Sequence, residues 1–181
     1  MKAFLARLLG QRPNAVPPPL SAAQSAAEAG LTTAGWVWYF AHPIHLEARM
    51  EHLVPSADLS ESMRPEEWPL LEALLNTHFE GEETRFFLTL NPKPQLYLRV
   101  ATPFGFNPQP VSAILGRPIA SHWPSANEAR PHARALARLL NEIQMLFHEQ
   151  PFNEAREAQD EPPINGLWIW DTPTIPDSLK R

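Results

Sequence analysis

The sequence predicts a single α+β domain with a mostly antiparallel sheet of about four or five strands and with helices packed on one face. Two observations carry this prediction: short aromatic and β-branched segments bounded by turn residues, and longer segments whose apolar residues recur at helical spacing. The 181 residues suffice for one domain with an extension. We expect an N-terminal extension and linker over residues 1–34, the domain over 35–171 and a C-terminal tail over 172–181.

A helix-capping residue and a proline predict the bounds of the first helix and the first strand. Ser21 is a good N-cap for an alanine-rich helix over residues 22–29. The aromatic segment 35–41 predicts a strand, and Pro43 is expected to stop it. Residues 44–53 alternate only in part, so they are predicted as a strand that runs into a loop.

The middle of the chain predicts a helix followed by a hairpin. Residues 65–79 begin with proline, carry acidic residues in the first turn and repeat apolar residues at helical spacing. Residues 85–90 and 95–101 are β segments, and the connection between them has the length and composition of a hairpin turn. A single helical turn is predicted over 111–115.

Composition excludes several functional classes. The chain has no cysteine, so disulfides, thiolate metal sites and cysteine nucleophiles are absent. Fifteen basic against twenty acidic side chains give a formal charge of -5 without a basic block, which argues against nucleic acid as a partner. No apolar stretch has the length of a membrane span. We expect a cytoplasmic protein without a membrane partner.

A long helix is predicted over residues 125–149, and it has two different faces. One face carries the apolar residues of a core-packing stripe. The opposite face gathers Asn141, Gln144, Met145 and His148, together with Arg134. Solvent is the ordinary environment for such a face, but a methionine among polar residues also suits a contact surface. Both interpretations stay open.

Pro151 ends this helix and starts a second one over 152–158, which is followed by an aromatic strand at 167–170. Arg156 is expected to pair with a carboxylate such as Glu149 or Asp160 and so to fix the corner. Trp168 and Trp170 share one face of the strand, as Trp36 and Trp38 do in the first strand. Adjacent strands would stack these residues, either as a core layer or as a platform for a ligand.

His42 and His45, with Glu47 nearby, are the candidates for a metal site. Pro43 makes a helix there improbable, and on a strand the two imidazoles point to opposite faces. The sequence carries no H-E-x-x-H, no phosphate-binding glycine loop and no G-x-S-x-G motif. We therefore predict no metal, no cofactor and no catalytic residue.

Residues 139–170, LLNEIQMLFHEQPFNEAREAQDEPPINGLWIW, resemble the C-terminal signature of the RpfE-type regulatory proteins, a bacterial family. Similarity to that family extends over about residues 36–170. Family members usually continue from the last tryptophan into a glycine run, which Asp171-Thr172-Pro173 replaces here. The resemblance implies these motif positions: Asn141, Glu142, Gln144, Met145, Asn153, Arg156, Glu157, Asn165, Trp168 and Trp170.

The resemblance implies a non-enzymatic regulatory or adaptor protein that binds a protein or a small ligand. The predicted binding region is the helix face 141–148 with the adjoining strand 165–170, comprising Asn141, Gln144, Met145, His148, Asn153, Arg156, Asn165, Trp168 and Trp170. Relatives are often labelled cofactor-independent phosphoglycerate mutase. The alternative is therefore a small metal- or phosphoryl-ligand-dependent enzyme that uses His42, His45, Glu47 or His148.

Overall fold

A five-stranded antiparallel sheet organises the protein, in a computed structural model that describes residues 19–50, 52–105, 108–123, 131–148 and 150–172. The strands are β1 (Val37–Arg49), β2 (His52–Asp58), β3 (Thr84–Thr89), β4 (Gln95–Val100) and β5 (Gly166–Trp170). The helices are α1 (Ala22–Glu28), α2 (Glu67–His78), α3 (Val111–Ile114), α4 (Pro131–His148) and α5 (Pro151–Glu157), with a 3-10 turn at Ile119–Ser121. The predicted α+β class is confirmed.

Strand β1 runs through Pro43, so the prediction that Pro43 ends the first strand is wrong. The N–H and C=O of a strand residue point to the same edge of the strand. The Pro43 carbonyl accepts a hydrogen bond from Leu59 N–H at 2.9 Å, just beyond the end of β2. The missing N–H of Pro43 therefore faces an edge where no strand requires a donor, which is where proline is tolerated in a sheet.

The same edge of β1 is shared by two strands, one after the other. Phe40 pairs with β4 on one side and with β5 on the other, whereas Ile44 pairs with β2 and with β5. Because β5 follows one edge throughout, β4 and β2 must occupy the opposite edge in succession. His42 and Pro43 lie at the gap between β2 and β4, which we call the fork.

The two faces of the sheet bury different helices. Tyr39 and Ala41 point into the larger core, which α2 and α4 complete with Leu71, Leu75, Leu140, Ile143 and other apolar residues. The two longest helices thus lie on one face, but α1 and α3 pack on the other, so the prediction that the helices cover a single face holds only for α2 and α4. Trp38 and Phe40 point the other way and pack with the alanines of α1. Ile44 and Leu46 continue that second face and pack with α3.

Helix α2 also protects the outer edge of β3. The Asn76 amide accepts a hydrogen bond from Phe86 N–H at 2.9 Å and donates to the Phe86 carbonyl at 3.0 Å. Glu72 accepts from Leu88 N–H at 2.8 Å. These side chains satisfy backbone groups that an edge strand otherwise offers to another chain.

The helices begin and end close to their predicted positions where the structure describes them. The Ser21 hydroxyl caps α1, and Gln24 completes a capping box. The start of the predicted long helix, Glu149, residues 1–18 of the extension and residues 173–181 of the tail lie outside the described residues. None of the helices in the described ranges is long and apolar enough to cross a membrane.

Candidate functional site

The polar face of α4 is open to solvent. Asn141, Met145 and His148 are exposed, and Gln144 is half-buried. Met145 exposes 78% of its surface, whereas Ile143 and Phe147, on the opposite face of α4, are fully buried. The face therefore consists of surface residues with one large apolar side chain among them.

Asn153 and Asn165, two further residues of the predicted binding region, form structural hydrogen bonds. The buried amide of Asn153 accepts from Ile164 N–H at 2.7 Å and donates to the carbonyls of Phe147 and Ile164 at 2.8 and 2.9 Å. The Asn165 amide accepts from Leu46 N–H at 2.7 Å and donates to its carbonyl at 2.9 Å. Both amides act in place of backbone partners: Asn153 joins the end of α4 to the segment before β5, and Asn165 extends the β1–β5 pairing by one residue.

Arg156 is fully buried, with 0% of its surface exposed, and it pairs with Glu67 at the start of α2. Its Nη1 donates to both carboxylate oxygens, at 3.0 and 2.8 Å, and its Nε donates to the Pro162 carbonyl at 2.8 Å. Arg64 adds a second guanidinium to the same carboxylate at 2.9 Å. Glu67, 89 residues away in sequence, takes the place that was expected for Asp160, and the other expected partner, Glu149, lies outside the described residues.

The Glu67 carboxyl illustrates why such a burial is tolerated. Burial raises its pKa, but the hydrogen bonds from Arg64 and Arg156 outweigh that effect and lower the pKa below its ordinary value. Glu67 therefore remains charged, and α2, α5 and the segment after α5 are tied together at one point.

Trp168 and Trp170 belong to the buried layer of the second sheet face. Trp168 is 1% exposed, and its Nε1 donates to the Gln109 carbonyl at 2.8 Å. Trp170 stacks on its cross-strand neighbour Phe40 with ring centroids 4.8 Å apart. Leu167 and Ile169 face the α4 core instead. The sheet thus separates the tryptophans from the exposed face of α4, and the two do not form one continuous surface.

Asp171 and Thr172, which follow β5, fasten α1 to the sheet. Asp171 accepts a hydrogen bond from Ala22 N–H at 2.7 Å, at the start of α1. The hydroxyl of Thr172 donates to the Leu20 carbonyl at 3.2 Å. Burial raises the pKa of the Asp171 carboxyl, and the hydrogen bonds from the N–H groups of Ala22 and Thr172 offset that increase only in part.

His42 and His45 have separate partners. His42 Nδ1 lies 3.1 Å from Asp58 Oδ2, whereas His45 Nδ1 lies 2.8 Å from the Pro163 carbonyl. In the part of the chain that the structure describes, no three histidine, aspartate or glutamate side chains are arranged to hold a metal ion. The pair that His42 forms with Asp58 is the more informative feature, because it borders a cleft.

This cleft, the fork cleft, has a volume of about 580 Å³ and opens where β2 and β4 part. His42 lies on the sheet face that carries Phe40 and Trp170, whereas Met63 and Trp68 belong to the core of the opposite face. The cleft therefore extends from one face of the sheet to the other through the gap between β2 and β4. Its lining residues are His42, Asp58, Ser60, Glu61, Met63, Pro65, Trp68, Lys93, Pro94 and Gln95.

The polar groups of the fork cleft are fixed by one another. Asp58 Oδ1 accepts from Ser60 N–H at 3.0 Å, and Asp58 Oδ2 pairs with His42. Burial raises the pKa of Asp58, but the hydrogen bonds from His42 and Ser60 more than compensate and bring it to about 2. The Ser60 hydroxyl oxygen is buried and has no hydrogen-bond partner within the described ranges.

Sequence reasoning identified His42 in this cleft but missed Asp58, Ser60 and Lys93. Asp58 ends β2 and meets His42 only because β2 folds back on β1, so their spacing of 16 residues carries no recognisable pattern. Lys93 arrives from the β3–β4 turn and lies 3.8 Å from Glu61 at the exposed rim. A hairpin prediction for β1 and β2 would have been the only available signal.

Comparison with known proteins bears on the fold. No family model matches the chain, and no curated protein is significantly similar in sequence. Among solved structures, the chain is similar to the cofactor-independent phosphoglycerate mutase from Thermoplasma acidophilum, with a TM-score of 0.56 and 17% identity over 96% of this chain and 47% of that one. The PH0037 protein from Pyrococcus horikoshii matches with a TM-score of 0.44 and 14% identity, over 83% and 32% of the two chains.

The similarity to the mutase is one of fold. The chain spans about half the length of that protein, at an identity of 17%. It supports an α+β architecture of the kind found in part of the mutase. It assigns no activity to His42, Asp58 or any other residue of this chain.

Proposed function

We propose that this protein is a non-enzymatic regulatory protein of the RpfE type and that it binds a small polar ligand in the fork cleft. The observation that carries the proposal is the His42–Asp58 pair beside a buried Ser60 hydroxyl that has no hydrogen-bond partner among the residues described by the structure. A buried hydroxyl without a hydrogen bond costs free energy, which a ligand that supplies the bond recovers. The absence of cysteine fits a reducing compartment, and we propose a cytoplasmic location.

The charges of the cleft indicate the chemistry of this ligand. Asp58, with a pKa of about 2, is an acceptor at neutral pH and has no proton to donate. Glu61 adds a second carboxylate at the rim, while Lys93 is the one ammonium group among the lining residues. Met63, Pro65 and Pro94 provide apolar walls. A small molecule with hydroxyl or amino groups and a short apolar part fits this set.

The test is a thermal-shift screen with polyols, amino sugars and amino acids, followed by calorimetry on any ligand found. At about 100 times its dissociation constant a ligand adds roughly 2.7 kcal/mol to the free energy of unfolding. Ser60→Ala and Asp58→Asn should each weaken binding by about tenfold, since each removes a directed hydrogen bond. Glu154→Gln, an exposed change on α5 outside the cleft lining, serves as the control. Unchanged affinity in both cleft variants would exclude the cleft as the site.

The exposed face of α4, comprising Asn141, Gln144, Met145 and His148, is proposed as a separate contact surface for a protein partner. Its support is the 78% exposure of Met145 among polar residues. The triple variant Asn141→Ala, Gln144→Ala, His148→Ala should lose any partner that the wild type captures at this face. Glu154→Ala with Glu157→Ala, on the exposed side of α5, is the matched control. If the triple variant retains every partner and phenotype, the surface has no such role.

The second candidate function is a small metal- or phosphoryl-ligand-dependent enzyme. The observation in its favour is that Asp58 holds His42 through Nδ1, the arrangement in which a carboxylate orients a histidine base. Incubation with phosphate esters, with and without divalent metal ions, tests it. Turnover that His42→Gln abolishes would replace the first proposal, and silence across esters and metals would remove the second.

A further inference from the structure

Two arginines lie side by side on the sheet at a distance from the fork cleft. Arg85 of β3 and Arg99 of β4 are direct cross-strand partners on the face that also carries Trp38 and Phe87. Like charges in this position destabilise a sheet. Across the part of the chain that the structure describes, neither guanidinium has a hydrogen bond or an ion pair with a carboxylate, and Arg99 Nε is buried without a partner.

Aromatic rings hold the two guanidiniums in place. Arg99 Cζ lies 4.0 Å from the Trp36 ring centroid and 5.1 Å from that of Phe87. Arg85 Cζ lies 5.9 Å from the same Phe87 ring. Stacking fixes the plane of a guanidinium but satisfies none of its N–H groups, which point outward around its rim. The donors are therefore oriented before any ligand arrives.

A cleft of about 400 Å³ adjoins both arginines. Asn76, Thr77 and Thr84 contribute further polar side chains to its lining. Glu80 and Glu82 also border it, but neither forms an ion pair with the arginines. Burial lowers the pKa of Arg99, and the neighbouring charge of Arg85 lowers it further. The positive charge is thus concentrated on one side of the cleft, and no carboxylate of the described residues is in contact with it.

We propose that Arg85 and Arg99 form a binding site for a tetrahedral dianion, that is, a free phosphate ion or the phosphate group of a small molecule. Two guanidiniums match two negative charges, and their N–H groups outnumber the acceptors of a single carboxylate. The three terminal oxygens of a phosphate monoester can accept from both arginines together. This site is separate from the fork cleft and does not depend on the function proposed for it.

Calorimetry at constant ionic strength tests the site with inorganic phosphate, glycerol phosphate, sulfate and acetate. Wild type should bind the tetrahedral dianions and discriminate against acetate. Arg85→Glu should abolish binding, because it replaces one positive charge with a negative one. Arg99→Lys retains the charge but loses the paired N–H donors of the guanidinium, so it should weaken binding by about tenfold. Arg138→Glu, an exposed change of equal charge on α4, should leave affinity unchanged.

A second measurement separates binding from packing. Without phosphate, Arg85→Glu should raise the melting temperature by about 1–4 °C, because an opposite charge then faces Arg99. A variant that is more stable yet no longer binds identifies the arginine pair as a ligand site. Stronger binding of glycerol phosphate than of phosphate identifies an organic ligand, and equal binding identifies the free ion. Failure of wild type to bind any dianion at millimolar concentration, or equal loss in Arg138→Glu, would overturn the proposal.

Discussion

Residues 139–170, which carry the dense sequence signature, and the fork cleft, which carries none, use their polar side chains in opposite ways. In the signature, the amides of Asn153 and Asn165 and the Nε and Nη1 of Arg156 form hydrogen bonds to the fold, and only Arg156 Nη2 among these groups lacks a partner within the described residues. In the cleft, and counting only residues that the structure describes, the Ser60 hydroxyl has no hydrogen-bond partner and the ring of His42 is hydrogen-bonded through Nδ1 alone. A recognisable motif can therefore mark the scaffold, while the groups available to a ligand come from unremarkable positions brought together by topology.

Among the variants that test this comparison, Arg156→Ala should have the largest effect on stability. It leaves the Glu67 carboxylate buried beside the single remaining guanidinium of Arg64, and we expect a loss of about 3–5 kcal/mol in the free energy of unfolding. Arg49→Ala, which breaks an exposed pair with Glu47, should cost less than about 1 kcal/mol. Urea denaturation measures both. Similar losses in the two variants would mean that the buried pair is not a structural anchor.

Asn153→Ala should have the next largest effect, about 2–3 kcal/mol, because it leaves the buried backbone groups of Phe147 and Ile164 without partners. Asn141→Ala, from the exposed face of α4, is the matched control and should change stability by less than about 0.5 kcal/mol. The same denaturation assay applies. If both asparagines cost the same, the division of the signature into scaffold and surface is wrong.

The sequence predicts the fold class, the β3–β4 hairpin and the core stripe of α4 because these depend on local periodicity. It fails at Pro43, because whether a strand tolerates proline depends on which edge its missing N–H faces. It also fails for the partner of Arg156, since Glu67 lies in a distant helix. The fork cleft lies where β1 pairs with three strands, and although β2 follows β1 in a hairpin, β4 and β5 are distant in sequence, so no local residue spacing predicts the cleft.

We expect the Asp58 carboxylate of the fork cleft to make the stability of the protein depend on pH. The folded-state pKa of Asp58, about 2, lies below its ordinary value of 3.8, so the ionised carboxylate stabilises the fold. That contribution is fully present above about pH 5 and is lost as the pH falls towards 2. With about a third of the side chain exposed, we expect about 1–2 kcal/mol.

Asp58→Asn is the variant that isolates this contribution. Its stability should fall below that of wild type at pH 6, and the difference should close between about pH 4 and pH 2. Glu154→Gln removes an exposed carboxylate of α5 and should show no such convergence. A difference for Asp58→Asn that stays constant with pH would show that the ionised Asp58 carboxylate does not stabilise the fold.

The smallest stability effect is expected at Met145, and its smallness is what makes it useful. A side chain that exposes 78% of its surface buries little apolar area, so Met145→Lys should change the free energy of unfolding by less than about 0.5 kcal/mol. Any loss of partner binding in this variant then reflects the surface itself and not the fold. A large destabilisation would instead mean that Met145 is covered in the native protein. The α4 face would then contribute to the stability of the fold and not to partner binding.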